Sequence, residues 1–314
     1  MASDATSAST AGVAPSTSAV IGSRAYARRG RYMRFVVPAL VVILAVIVFP
    51  WLFTIWMSVH DWHIAQDQTF AGLANYANLL TDQRFLESIV HTLYFTVLAV
   101  VLPVVFGVLS AVVFHQRFPW RGVLRAVFIM PMMATPVAVA LVWTMMFHPQ
   151  LGVLNYLMTA IGLPAQLWVY DQSTVIPSLV LVEVWHWTPL VMLIVLGGLA
   201  ALPTEPYESA LIDGASHWQM FRHITFPLVL PFIMVAVIIR TIDALKAFDT
   251  IFVITQGGPG TASETINIYL YLQAFSFYNI GHASAVVVVF FVIIVVLSLL
   301  LLYVRQRTLW AVDR

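Results

Sequence analysis

The chain has 314 residues, 61% of them hydrophobic and 9% charged, with a formal net charge of +1 at pH 7 and a mean hydropathy of +0.91. Soluble domains carry about 45–50% apolar residues, so this composition excludes an ordinary water-soluble fold. The absence of cysteine excludes disulfides, iron–sulfur clusters and Cys-ligated zinc.

Residues 1–23 are rich in Ser, Thr and Ala, with Asp4 as their charge, and predict a disordered tail. Arg24, Arg28, Arg29, Arg31 and Arg34 lead into an apolar run over 35–58. That run is too long for the hydrophobic region of a signal peptide and is expected to be retained as a first transmembrane helix. Further apolar runs predict spans over 88–115, 123–147, 174–201, 227–255 and 282–304. Each is long enough to cross ~30 Å of hydrocarbon, and none shows the short alternating pattern of a membrane β-barrel. The expected protein is all-α and polytopic, with six transmembrane helices. It divides into a basic tail (1–34), a six-helix domain (35–304) and a C-terminal tail (305–314).

Between the spans, "FAGLANYANLLTDQRF" (70–85) and "HPQLGVLNYLMTAIGLP" (148–164) read as amphipathic pieces lying on a membrane surface. "TQGGPG" (255–260) is a turn leaving the fifth span. These segments fit either ordinary connectors or a docking surface for an external partner. Cytoplasmic loops retain Lys and Arg. Arg117, Arg121, Arg125, Arg222, Arg305, Arg307 and Arg314 fall on the same side as the basic tail, and Arg84 falls opposite. Both termini are therefore expected in the cytoplasm, together with the polar stretch 207–221.

That stretch, "YESALIDGASHWQMF", has the form of a short helix, a glycine turn and a second helix. Thr204 is placed to cap the first helix, and Tyr207, Ala210 and Leu211 share one face. Gly214 ends it. "SHWQ" (216–219) has capping-box form, and Trp218, Phe221 and Ile224 continue an apolar stripe. Read from the residues alone, it is either an interfacial anchor or a docking element.

The fifth span carries Arg240, Asp243, Lys246 and Asp249, and the fourth carries "EVWHWTPL" from Glu183 to Leu190 at comparable depth. Ionisable groups in a span face a cavity or a partner. The pairs Arg240/Asp243 and Lys246/Asp249, three residues apart, fit self-pairing on one helix as well as a functional role. The histidines show no metal-ligand spacing, and no phosphate-binding G-x4-G-K-[ST] loop is present.

Glu208, Ala210, Asp213, Gly214, Ala215, Phe221, Ile224, Pro227 and Pro231 stand at the spacing of the Glu-Ala-Ala loop of ATP-binding-cassette importer permeases; Ser209 departs from the usual Ala. "FAGLANY", "IMPMMATPVAVALVW" and "FDTIFVITQGGPG" extend the resemblance over nearly the whole chain, towards the sugar-importer branch of maltose-type large permeases. The extra spans and large external insertion of the maltose importer's own large permease are absent.

The resemblance implies a type I importer permease fold in a bacterial cytoplasmic (inner) membrane. It implies a coupling loop at 204–226 that docks on an ATPase subunit through Tyr207, Glu208, Ala210, Leu211, Asp213, Gly214 and Ala215. It also implies a substrate pathway at His186, Trp187, Leu190, Arg240, Asp243, Ala244 and Ala247, whose residue types differ from those of the maltose permease. The implied partners are a homologous second permease, forming a heterodimer, two ATPase copies, an external solute-binding protein and a sugar. ATP and magnesium would sit on the ATPase, leaving this chain with no cofactor, metal, nucleic acid or enzymatic role. Two other readings stay open: a non-sugar solute such as glycerol phosphate or a polyol, and an ion-driven carrier in which the charged ladder relays protons.

Overall fold

A computed structural model describes residues 17–64 and 66–312, with side chains described over 35–64 and 66–306. The chain divides into two units between Thr54 and Ile55. The first holds the body of α1 (Thr17–Ser58), whose apolar stretch is Phe35–Ser58. Helix begins well before the expected span, because Ala and Arg favour helix and carry the basic stretch into it. The rest of the expected tail, 1–16, lies outside the described residues, as do the side chains of Arg24 to Arg34.

The second unit opens with a two-stranded hairpin, β1 (His60–Asp61) and β2 (Thr69–Phe70), antiparallel with His60 opposite Phe70. The short helix α2 (Ala74–Thr81) follows, then α3 (Gln83–His115). Asp82 caps α3, its carboxylate accepting from the amides of Arg84 (2.9 Å) and Phe85 (3.2 Å). The third span is not continuous. α4 (Arg121–Ile129), a 3-10 turn (Met130–Met133) and α5 (Pro136–Met146) meet at a 98° bend. Pro131 and Pro136 withdraw two backbone donors within one turn of the break, which an unbroken helix does not tolerate.

α6 (Val153–Ala160) occupies the second expected surface piece. Buried Asn155 anchors it, donating to the carbonyls of Pro149 and Gln166 and accepting from the Gln166 amide and the Trp168 indole. α7 (Val175–Ala200) is the fourth span, and α8 (Glu205–Ile212), α9 (His217–Met220) and a π-turn (Phe221–Thr225) lead into α10 (Phe226–Leu245).

The fifth span ends at Leu245, not at 255, and the chain restarts as α11 (Asp249–Thr255). The side-chain amide of Asn267 donates to the carbonyls of Leu245 (3.0 Å) and Ala247 (3.3 Å), replacing the amide donors that a continuing helix would have offered them. α12 (Ile266–Tyr271), a second π-turn (Leu272–Ser276) and α13 (Ile280–Val312) complete the fold. α13 runs through the expected C-terminal tail; its side chains beyond 306 and residues 313–314 lie outside the description. Five described helices are long and apolar enough to cross a membrane, and the bent α4–α5 pair, counted as one broken span, brings the number to six.

α7 is the core of the second unit. Val182, Val191, Met192 and Val195 are fully buried on it, as expected of a helix that is apolar all round. It packs on α3 at Gly107, where a methyl group would meet Val191 at 2.6 Å, and on α10 at Gly198, where one would meet Phe232 at 2.5 Å. At the end opposite α8, Arg84 forms a forked ion pair with Glu264 (2.8–3.1 Å). Beside it, the Tyr269 hydroxyl donates to Asp82 (2.6 Å) and lies 2.8 Å from His282 Nε2.

Candidate functional site: a charged cleft between spans and a polar helical island

Glu183 and Trp187 lie one turn apart on α7 and share a face. Arg240, on α10, reaches across to both. Its Nη2 donates to Glu183 at 2.8 Å and to the Ala99 carbonyl at 3.4 Å, and its guanidinium sits 4.8 Å from the Trp187 ring centroid. Arg240 is 1% exposed and Glu183 4%. Each ion offsets the desolvation of the other, and the indole face adds a cation–π contact. The self-paired ladder does not form: among the described residues, neither Arg240/Asp243 nor Lys246/Asp249 makes an ion pair.

A cleft of about 290 Å³ opens beside this pair, bordered also by Pro136, Asp243, Lys246, Ala247 and Asp249. Four of the expected pathway residues, Trp187, Arg240, Asp243 and Ala247, line it. His186, Leu190 and Ala244 do not. His186 is buried, with its ring 4.6 Å from that of Trp187 and Nε2 3.3 Å from the Ala134 carbonyl, and Ala244 is buried in the core. Glu183, set from sequence at the depth of Arg240 but not among the implied pathway residues, joins the site, and so does Pro136. Glu183 did carry a signal, as the one carboxylate in the apolar run of the fourth span. Pro136 carried none, since only the 98° break brings it there.

The second site is the island. Thr204 makes no side-chain cap to α8, contrary to expectation. Ser216 and Gln219 do form the expected capping box, at 3.3 and 2.7 Å. Gly214 turns between the helices at φ +73°, a left-handed conformation that a β-branched residue strongly resists. Leu211, Ile212 (88% exposed), Glu208, Asp213 and Trp218 (66% exposed) face outward, while Ala210 and Ala215 are half-buried. Tyr207 shares the half-buried side of α8 with Ala210, while Leu211 is exposed. The Tyr207 hydroxyl donates to Thr225 Oγ1 at 3.1 Å.

Membrane-length helices, a charged cleft where α10 breaks off and a polar helical island are the architecture expected of a membrane transport subunit. Residues 103–310 match the family described as the binding-protein-dependent transport system inner membrane component, and the chain belongs to that family. It is 37% identical over 247 residues to the trehalose/maltose transport system permease protein MalF of Thermococcus litoralis, covering 78% of this chain and 82% of that protein. It is 33% identical over 273 residues to the trehalose transport system permease protein SugA of Mycobacterium tuberculosis, covering 84% and 85%. Its backbone matches a chain of the crystal structure of a bacterial ABC transporter that imports the acidic polysaccharide alginate, with a TM-score of 0.79 and 21% identity over 90% of this chain and 98% of that one. That last likeness concerns the fold. The chain is thus an ABC importer permease, a transport subunit and not itself an enzyme.

Proposed function

We propose that this chain is one permease subunit of an importer for an uncharged carbohydrate, with the cleft as the solute passage and the island as the docking element for an ATPase. The Arg240–Glu183 pair carries the reading. An arginine already neutralised by a buried carboxylate has no charge left over for an anionic solute. Around the cleft, Glu183, Asp243 and Asp249 outnumber Arg240 and Lys246, which disfavours sugar acids and glycerol phosphate further. What remains is suited to hydroxyl groups: the Trp187 ring for a pyranose face and the Asp243 carboxylate as acceptor. The relatives named for trehalose and maltose agree with that chemistry.

The partners in this reading are a homologous second permease, two ATPase subunits that bind ATP and magnesium, and an external solute-binding protein. Access to the cleft alternates between the two sides of a bacterial cytoplasmic membrane. The termini and the loop 204–226 lie on the cytoplasmic side, as the arginine distribution implies.

The test uses the assembled complex with its binding protein in vesicles. Neutral disaccharides are expected to stimulate ATP hydrolysis and uptake, while sugar acids and glycerol phosphate are not. Trp187→Ala is expected to lower solute-stimulated hydrolysis roughly tenfold, as loss of an aromatic contact would. Unchanged stimulation in that variant, or a preference for anions, would reject the assignment. Uptake driven by an ion gradient without ATP would favour a secondary carrier instead.

A further inference from the structure

We propose that Tyr207 is not a contact to the ATPase but an internal strut, which joins the island to α10 through Thr225 and makes the two a single lever. The inference rests on the docking reading of the island given above.

From sequence, Tyr207 shares a helical face with Ala210 and Leu211 and belongs with a docking surface. The structure turns it inward. Its hydroxyl donates to Thr225 Oγ1 at 3.1 Å, and Thr225 Oγ1 donates onward to the Met220 carbonyl at 3.4 Å. This short relay meets three elements: α8, the last residue of α9, and the π-turn at the base of α10. It is the one side-chain hydrogen bond from α8 to another element among the described residues.

The π-turn has a local cause. Pro227 offers no N–H to the His223 carbonyl four residues back, and its ring crowds that carbonyl. The backbone widens there, and the Phe226 amide reaches back to Phe221. Such a turn is a soft point between an element that receives force and one that carries it. The hydroxyl relay spans that soft point.

The space beneath the island shows why a strut matters. A cavity of about 540 Å³ lies between the island and the ends of α3 and α7, bordered by His115, Gln116, Leu199 and Leu202 on one side and by Tyr207 and His217 on the other. A push on Leu211, Ile212 or Trp218 would tip α8 into that space if nothing tied it to α10. With the tie in place, the push travels about 20 Å along α10 to Arg240, at 1.5 Å per residue, and through Glu183 into α7.

The test compares Tyr207→Phe, Thr225→Val, Thr225→Ser and the Tyr207→Phe/Thr225→Val double variant in the full reconstituted complex. Three quantities are read: the ATPase retained on purification, ATP turnover, and solute moved per ATP. Tyr207→Phe and Thr225→Val are expected to keep the ATPase bound and turning over. Solute moved per ATP should fall about three- to tenfold, the scale of one lost hydrogen bond. Thr225→Ser should restore the ratio, and the double variant should be no worse than either single one.

Wild-type stoichiometry in Tyr207→Phe would overturn the proposal. So would loss of the bound ATPase in that variant, which would make the hydroxyl a docking contact, or additive losses in the double variant. Ile212→Glu and Trp218→Glu test the underlying reading separately. If both retain the ATPase at wild-type levels, the island is not the docking element and the strut falls with it.

Discussion

At the scale of single residues, the fold depends on charges that neutralise one another across helices. Glu183→Ala leaves the Arg240 guanidinium buried without a counter-ion, and breaking such a pair costs about 3–5 kcal/mol. Thermal unfolding in detergent should show that loss, and replacing both residues by Met should recover much of it. A single variant that melts with the wild type would show the pair to be dispensable. Asp82 is held by neutral donors instead. Burial pushes its carboxyl pKa up, but the Tyr269 hydroxyl and the Phe85 and Arg84 amides outweigh that and hold it below the usual carboxylate value. The stabilisation from Asp82 is therefore complete above the ordinary carboxylate range and lost as pH falls through the lowered folded value. Asp82→Ala should cost about 1 kcal/mol at neutral pH, as loss of an N-cap does, and should remove that acid-dependent part of the unfolding profile. Neither long-range partnership, Arg240 with Glu183 or Asp82 with Tyr269, was legible in the sequence. Spacing identifies neighbours along one helix, so Arg240 pointed to Asp243, three residues away, and not to Glu183, which only packing brings near.

At the scale of elements, local chemistry was legible and long-range chemistry was not. The Ser216–Gln219 capping box and the Gly214 turn form as their residues predict, because a cap and a left-handed glycine involve atoms a few residues apart. The end of α10 was misplaced by ten residues because Asn267, which donates to the Leu245 and Ala247 carbonyls at that end, follows a further helix and turn. Asn267→Ala should cost about 1 kcal/mol, the net worth of a typical hydrogen bond, and should speed amide exchange in α11 more than in α7. Equal protection of α11 in variant and wild type would remove Asn267 from that role. For the island, Gly214→Val forces a β-branched residue to positive φ, and Asp213→Arg reverses an exposed charge. Either is expected to abolish ATP-driven uptake while leaving insertion intact, read by transport and by membrane fractionation. Normal uptake in either would separate the island from energy coupling.

At the scale of the whole molecule, the fold class came directly from apolar run length, since any segment of that kind must satisfy its own backbone in hydrocarbon. The broken third span did not, because its hydropathy is continuous and only the spacing of Pro131 and Pro136 marks the break. The expected sidedness can be tested cleanly because the chain has no native cysteine. Cysteine introduced at Ile212 or Trp218 should react with an impermeant thiol reagent only from the cytoplasmic side, and at Leu151 or Tyr156 only from the outside. The reverse pattern would invert the topology.

The two glycine crossings bear on how such a molecule can move. At Gly107 the Val191 side chain of α7, and at Gly198 the Phe232 ring of α10, sit so close to the glycine that not even a methyl group has clearance. A helix packed that tightly on both flanks resists sliding and rolling at those two points. The three helices therefore behave as a stiff plate with α7 as its keystone. Rearrangement in this subunit then falls to the joints at the plate's margins: the elbow between α4 and α5, the π-turn at the base of α10, and the gap of three residues, 246–248, between α10 and α11.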